Sequence, residues 1–471
     1  MFKTLANAWK VEDIKKKIIF TLFIILIYRI GANIVIPFIN YGAIEQYEQS
    51  MQGFWGTLMG AGLPTQNFGL LNIMGGTSFS QATLFALGVS PYITSSIVMQ
   101  LLAVAIPALE RMGRSEEGKK KITSITRYVT IILAIVMGLG YYVLLDARYG
   151  VVMAAASKGY KFFYAVVIVA CLVAGSSLVM WLAEKINDKG LGNGVSMILF
   201  ANIVSRAPAM LDSIIKVFNA AADKTSNGKS YLVAALIYVI GMSLLIVFLI
   251  WFIIFISDSE RRIPVQYAKK VVGRKMYGGQ NTNLPIKINM AGVMPVIFAS
   301  SILSIPSMIG QFVTNPSNFW KGFFKQFQGA EITNIILTLV LIFAFAYFYI
   351  SISFNPTEVA GNLQKNGGSI PGIRPGRATA DFIKKVLSKI TFIGAISLAV
   401  IAVVPMLIQY IVDFFNPYYY QWGEGYGSPI LYVSDFIQSG TSIIIVVGVI
   451  LETLRELETQ MSMRHYKGFL E

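Results

Sequence analysis

Ten runs of predominantly apolar residues, each long enough to cross a hydrocarbon layer, set what this chain can fold into: 18–39, 80–107, 124–145, 161–184, 194–217, 231–257, 289–313, 332–354, 388–414 and 438–456. A bilayer core takes about 20 residues of helix. Backbone groups in lipid must bond within the protein, so runs of this length are expected to be helices. Only 13% of the 471 residues are charged, against about 25% in ordinary soluble chains. A soluble enzyme, a nucleic-acid module and a secreted disulfide scaffold are excluded on that ground. The chain reads as an all-α polytopic membrane protein.

Charge gives the orientation. Lysine and arginine outnumber aspartate and glutamate by 39 to 24. The basic residues concentrate before the first run, between the second and third, in 258–288 and in 355–387, whereas Asp413, Glu424 and Asp435 mark the last opposite loop. Basic loops stay in the cytoplasm, so ten spans predict two cytoplasmic termini. Lys15, Lys16 and Lys17 precede an apolar run with no small-residue cleavage site, which reads as an uncleaved first span. Segment 66–79 (QNFGLLNIMGGTSF) is short and glycine-rich, and reads as a re-entrant half-helix on the outer side.

Motifs for chemistry are missing. There is no GxxxxGK[ST], HExxH, GxSxG or CxxC, and the chain has a single cysteine, Cys171, and a single histidine, His465. No catalytic residue, metal site, cofactor or nucleotide is therefore expected. Arg29 in the first run reads as snorkelling to the interface. No midplane carboxylate suggests itself for ion coupling, which disfavours a secondary transporter for a small solute and leaves a passive channel. The second run carries Ser90, Pro91, Tyr92, Thr94, Ser95, Ser96 and Gln100, so it faces protein or water rather than lipid. The two long basic loops serve equally well as topogenic charge or as a docking surface for an anionic partner.

Several strings then narrow the reading. Arg261-Arg262-Ile-Pro-Val-Gln-Tyr-Ala-Lys-Lys, Asn289-Met-Ala-Gly-Val-Met-Pro-Val-Ile-Phe-Ala, Gly190-Leu-Gly-Asn-Gly-Val-Ser, Phe85-Ala-Leu-Gly-Val-Ser-Pro-Tyr-Ile, Pro371-Gly-Ile-Arg-Pro-Gly and Arg464-His-Tyr-Lys-Gly-Phe occur in the order of the bacterial SecY family. The chain resembles that family over essentially its whole length. The resemblance implies ten spans in two pseudo-symmetric inverted five-helix halves around a central pore: 1–217, a linker at 218–230, 231–456, and a cytoplasmic tail at 457–471.

It also implies a function, that of a channel passing unfolded, signal-bearing polypeptides across the bacterial cytoplasmic membrane and releasing hydrophobic segments into membrane lipid. The implied partners are SecE, SecG, the SecA motor and the ribosome. Motif by motif, Val89, Ile93, Val195, Leu199, Ile297 and Ile445 correspond to a pore ring. Val89/Ile93 and Val195/Leu199 are i, i+4 pairs, which share one helix face. Phe68, Gly69, Leu70, Leu71, Ile73, Met74, Gly75 and Gly76 correspond to a plug, and Thr94, Ser96 and Gln100 to one side of a lateral gate. Arg261, Arg262, Arg274 and Arg374 correspond to docking positions for SecA or the ribosome. The chain departs from the family in having Ser439-Gly440 where two glycines are usual, in a ring poorer in isoleucine, and in longer outer segments at 40–65 and 416–438.

Overall fold

The computed structural model describes residues 9–40, 78, 81–113, 115–148, 150–153, 158–205, 231–267, 270–272, 275–277, 281–312, 317–327, 331–419 and 440–467. Each of the ten apolar runs coincides with a helix. In chain order these are α1 (Glu12–Gly31), α2 (Ser90–Ala105), α4 (Glu116–Val143), α5 (Lys158–Lys189), α6 (Gly194–Val204), α7 (Tyr231–Asp258), α8 (Met294–Phe312), α10 (Ile332–Ser353), α12 (Arg377–Tyr419) and α13 (Gly440–Lys467). Among the described residues, five helices are long and apolar enough to span a bilayer by themselves, and α2 with α3 (Pro107–Gly113), bent by 108°, makes a sixth if the pair is counted as one span. The bend follows from Pro107, which forces Ile106 into extended backbone.

Two spans are shorter than the apolar runs suggest. The first helix ends at Gly31, and Ala32–Asn40 continue as irregular chain, bridging Val35 to Thr83 and Ile39 to Val152. The second starts only at Ser90, because Gly88 takes φ +53 and Pro91 sits in the first turn, where a missing amide costs nothing.

Packing sorts the spans into two groups. The helices α1, α2, α4, α5 and α6 pack on one another, as do α7, α8, α10, α12 and α13, and the groups meet where α2 and α4 touch α8 and where α6 touches α13. Apolar residues on the outside of both groups, such as Phe23, Ile132, Phe162, Val247, Trp251 and Ile336, are exposed. For spanning helices that surface faces lipid.

The two long basic loops are folded together. Strands β1 (Glu260–Tyr267) and β4 (Asn281–Lys287) pair antiparallel, and β5 (Gly368–Ser369) from the second loop adds to the free edge of β1, giving the order β4-β1-β5. Between them β2 (Lys270–Val272) and β3 (Lys275–Tyr277) form a separate two-stranded ribbon. Ile263 and Val265 of β1 point inward in alternation with exposed Arg262, Pro264 and Gln266. Ile263 and Ile286 pack on Ile370 and on Ile383, Leu387 and Ile390 of α12. That helix runs for 43 residues, and α11 (Pro356–Lys365) packs beside it.

Candidate functional site

The centre of the bundle is one apolar cluster drawn from both helix groups. Val89, Ile93, Leu199, Ile297 and Ile445 lie within it, each no more than 5% exposed, and half-buried Val195 packs against it. All six residues expected at a pore ring are thus brought into one cluster by α2, α6, α8 and α13. Local backbone chemistry explains how each helix delivers its residues.

On α6 the delivery depends on the turn Gly190-Leu-Gly-Asn-Gly. A side chain at Gly194 would place Cβ 1.9 Å from the Ala183 carbonyl oxygen, and one at Gly190 would meet Ile186 O and Thr21 Oγ1, both at 2.7 Å. Gly192 adopts φ +82, which glycine reaches without strain. Asn193 then caps the helix, its side chain accepting from the amides of Val195 and Ser196. The amide of Gly194 donates to Asn187 Oδ1 at 2.7 Å, locking the turn to the end of α5. The opposite wall is set by a close approach of α8 and α13. A Cβ on Gly448 would sit 2.4 Å from Val293 Cγ1, so glycine there lets Val293, just before α8, lie against α13, where Ile445 is one turn away.

Beside this cluster opens a cavity of about 350 Å³ lined by Val293, Met294 and Ile444 on its apolar side and by Lys287, Glu452 and Arg455 on its polar side. Arg455 Nη2 donates to Asp258 Oδ1 at 2.8 Å and to the carbonyl of Ser257, tying α13 to the end of α7. Burial, and then repulsion from Arg455, hold the pKa of Lys287 below the ordinary lysine value.

The polar residues of α2 divide by direction. Thr94 Oγ1 donates to the Ser90 carbonyl and Gln100 Nε2 to Ser96 Oγ, so these three expected gate residues bond within their own helix rather than across to α8. Ser95, a polar residue of this run outside the three expected gate positions, forms a fully buried hydroxyl pair with Thr130 of α4 at 2.5 Å. Near Tyr92, the Arg127 Nε–Glu184 Oε1 pair at 2.8 Å joins α4 to α5. The Ser95–Thr130 pair thus ties α2 to α4 of its own group, while α2 also packs against α8 of the other. No sequence periodicity separates Ser95 from its polar neighbours; only the rotation of α2 about its axis does.

Of the four expected docking arginines, Arg261 and Arg262 are exposed at the start of β1, with Arg262 Nε 2.7 Å from Glu260 Oε1. Arg374 is exposed in the turn between β5 and α12, framed by Gly372 at φ +80 and Gly376 at φ +96. Its carbonyl accepts from Thr379 Oγ1 at 2.9 Å, and its neighbour Ile373 packs into the cluster beneath the sheet. The β1–β5 pairing brings the two loops together at this end of the molecule. Arg274 lies outside the described residues, as do the plug residues Phe68, Gly69, Leu70, Leu71, Ile73, Met74, Gly75 and Gly76.

Fold and site together define a polytopic α-helical membrane channel, with helices from two groups meeting around an apolar centre and a basic sheet at one end. Solved structures share this architecture. One of a protein conducting channel matches with a TM-score of 0.55 at 16% identity, covering 94% of this chain and 92% of that one. Sec61 in the canine ribosome-channel complex from the endoplasmic reticulum matches over the same shares with a TM-score of 0.52. In sequence, the SecY family model matches residues 83–454. A protein translocase subunit SecY of Streptomyces galbus is 40% identical over 479 residues, covering all of both chains. One from Mycobacterium tuberculosis is 38% identical over 487 residues, again covering both completely. The chain belongs to the SecY family.

Proposed function

We infer that this chain is the channel subunit of a protein translocase, conducting unfolded, signal-bearing polypeptides across the cytoplasmic membrane of a bacterium and releasing hydrophobic segments sideways into lipid. The observation that carries the reading is the convergence of Val89, Ile93, Val195, Leu199, Ile297 and Ile445 from four helices of two groups on one apolar cluster. An aliphatic constriction excludes ions by dewetting. It yields to a passing chain because each contact it loses is worth only about 0.1–0.2 kcal/mol. We place the ring there and assign the plug to the segment at about 66–79.

The two packing groups support two five-helix halves, 1–217 and 231–456, with 218–230 linking them and 457–471 as a tail. Both termini and the sheet lie on the cytoplasmic side, following the basic loops. The lateral gate is the α2–α8 contact. Because Thr94, Ser96 and Gln100 are satisfied within α2, a signal sequence displaces packing there rather than interhelical hydrogen bonds.

Arg261, Arg262, Arg274 and Arg374 form the cytoplasmic docking surface for SecA or the ribosome, with SecE and SecG as further partners in the membrane. Energy comes from ATP hydrolysis by SecA or from ribosomal elongation, and this chain has no catalytic role. The similarity to a channel from a ribosome complex is in keeping with the ribosomal partner.

The test is protease protection of a signal-bearing precursor in proteoliposomes containing this chain, its SecE partner, SecA and ATP. Protection is expected, with loss when Arg374 becomes Glu. No protection with SecA bound and active would overturn the channel reading. The rival, a small-solute transporter, needs a coupling charge at the centre, and the six expected ring residues that meet there are all aliphatic.

A further inference from the structure

Between the end of α8 and the start of α10 lies α9 (Asn318–Lys325), NFWKGFFK, followed by Phe327. Nothing in the channel function above uses it. Trp320, Phe323, Phe324 and Phe327 recur at helical spacing, and their rings form one assembly. Trp320 stacks on Phe324 at 5.7 Å, Phe323 meets Trp320 edge-on at 5.8 Å, and Phe327 lies 5.1 Å from Phe323. Phe324 is buried against Gly310 of α8, where an added Cβ would come within 2.6 Å of the ring. The rest face outward: Phe319 is 75% exposed, Trp320 50% and Phe323 39%.

We propose that α9 is a bilayer-surface helix, seating Phe319, Trp320 and Phe323 in the headgroup–acyl boundary of the leaflet opposite the sheet and holding the far end of α8 through Phe324. Three observations carry the placement. First, α8 begins just after β4, so its other end, where α9 packs, is at the opposite membrane face. Second, the spans on either side of α9 also carry exposed apolar residues near it in sequence, Ile309, Ile332 and Ile336. Third, tryptophan and phenylalanine beside Lys321 and Lys325 are the composition of a helix lying in the interface. The occupant of the aromatic face is therefore phospholipid. The clamp acts on a functional element, because α8 carries Ile297, one wall of the gate and an internal proline, Pro306, one turn before Gly310.

Tryptophan fluorescence tests this independently of translocation. The signal of Trp320 is isolated as the difference between the full chain and Trp320→Phe, both in phosphatidylcholine–phosphatidylglycerol vesicles. Acyl chains brominated near the glycerol end should quench that difference about twofold more than chains brominated near the methyl end, with aqueous iodide quenching weakly. Quenching by iodide but not by brominated lipid would overturn the proposal by placing the face in water. Quenching by neither would overturn it by placing the face under protein, a partner subunit or a second copy. Should Trp320→Phe not fold, Phe319→Trp supplies a second reporter on the same face, read as a gain over the full chain. Gly310→Leu, which expels Phe324 from its notch, should raise iodide access at Trp320; an unchanged value would remove the clamp on α8.

Discussion

The apolar centre and the basic sheet are built on opposite rules. Six side chains of the centre come from four helices in two groups, and none of them carries a polar atom. The sheet presents few residues, each with its backbone pinned: Arg374 by Thr379 and two positive-φ glycines, Arg262 by the β1–β4 ladder. In the proposed function the first region seals against ions and then widens around any sequence, so it gains from many weak, interchangeable contacts. The second, as the proposed docking surface, holds a partner in one orientation, so it gains from a rigid frame under a few charges. The glycines show the same division. Gly194 and Gly448 are required for close approach, which lets helices meet, whereas Gly372 and Gly376 are required for backbone angle, which aims one side chain.

The largest effect separates the regions by one kind of substitution. Leu199→Asp puts a carboxylate among apolar side chains and is expected to cost several kcal/mol or to leave the channel leaking ions. Arg262→Asp at the exposed sheet is expected to stay within about 0.5 kcal/mol of the parent. Thermal unfolding in detergent with ion flux in vesicles reads both, and equal costs would mean that Leu199 is not in a sealed centre. Next, Arg374→Glu should lower SecA-driven translocation by about tenfold or more, with unfolding temperature unchanged, since charge reversal at a contact costs affinity rather than fold. Arg374→Lys should fall between, keeping charge but losing the guanidinium fork. A translocation rate indifferent to both would remove this turn from the docking surface.

The two regions were not equally legible in the sequence. The helices were, because apolar runs of span length admit one secondary structure in lipid. Their boundaries were not always: hydropathy does not register that Gly88 at positive φ and Pro91 delay α2 to Ser90, or that the chain leaves helix at Gly31. The ring residues came from motif alignment, since each alone is an ordinary apolar residue in a span. The β1–β5 part of the sheet was hidden because those two strands come from segments about a hundred residues apart, Gln266 pairing with Ser369. The alternation Arg262, Ile263, Pro264, Val265, Gln266 was the one local sign of it. The direction of the α2 hydroxyls was hidden for another reason. Ser95 and Ser96 are chemically identical neighbours, and a helix turn of 100° sends one to Thr130 and the other to Gln100.

Smaller effects sharpen the contrast between aimed and merely packed residues. Gly376→Ala forces a side chain into a positive-φ position and should cost about 1–2 kcal/mol. Its translocation defect should exceed what the lost stability explains, because Arg374 is re-aimed. A defect that tracks stability alone would make the frame unimportant. In α2, Ser95→Ala breaks the buried pair with Thr130 and should lower stability by about 0.6 kcal/mol, near the average for interhelical bonds in membranes. Gln100→Leu, which loses only a bond within α2, should change stability by less than that. If signal-sequence stringency changed more with Gln100→Leu than with Ser95→Ala, polar groups would take part in the gate after all.

The smallest expected effect lies at the cavity between the two regions. The pKa of Lys287 is lowered by burial first and by Arg455 second, against the opposing pull of Asp258 and Glu260. In the window between that lowered native value and the ordinary 10.5, the unfolded chain holds the proton and the folded chain does not. Stability then rises with pH across the window, because the unfolded state binds more protons there. Below the window Lys287 is charged in both states and contributes a constant penalty. Lys287→Met removes both, so its unfolding temperature should exceed that of the parent at neutral pH and converge with it as pH approaches the top of the window. Parallel curves for the two proteins would show that the ammonium meets no repulsion at the cavity wall. In that case the cationic side of the cavity, unlike the apolar centre beside it, would be fully solvated.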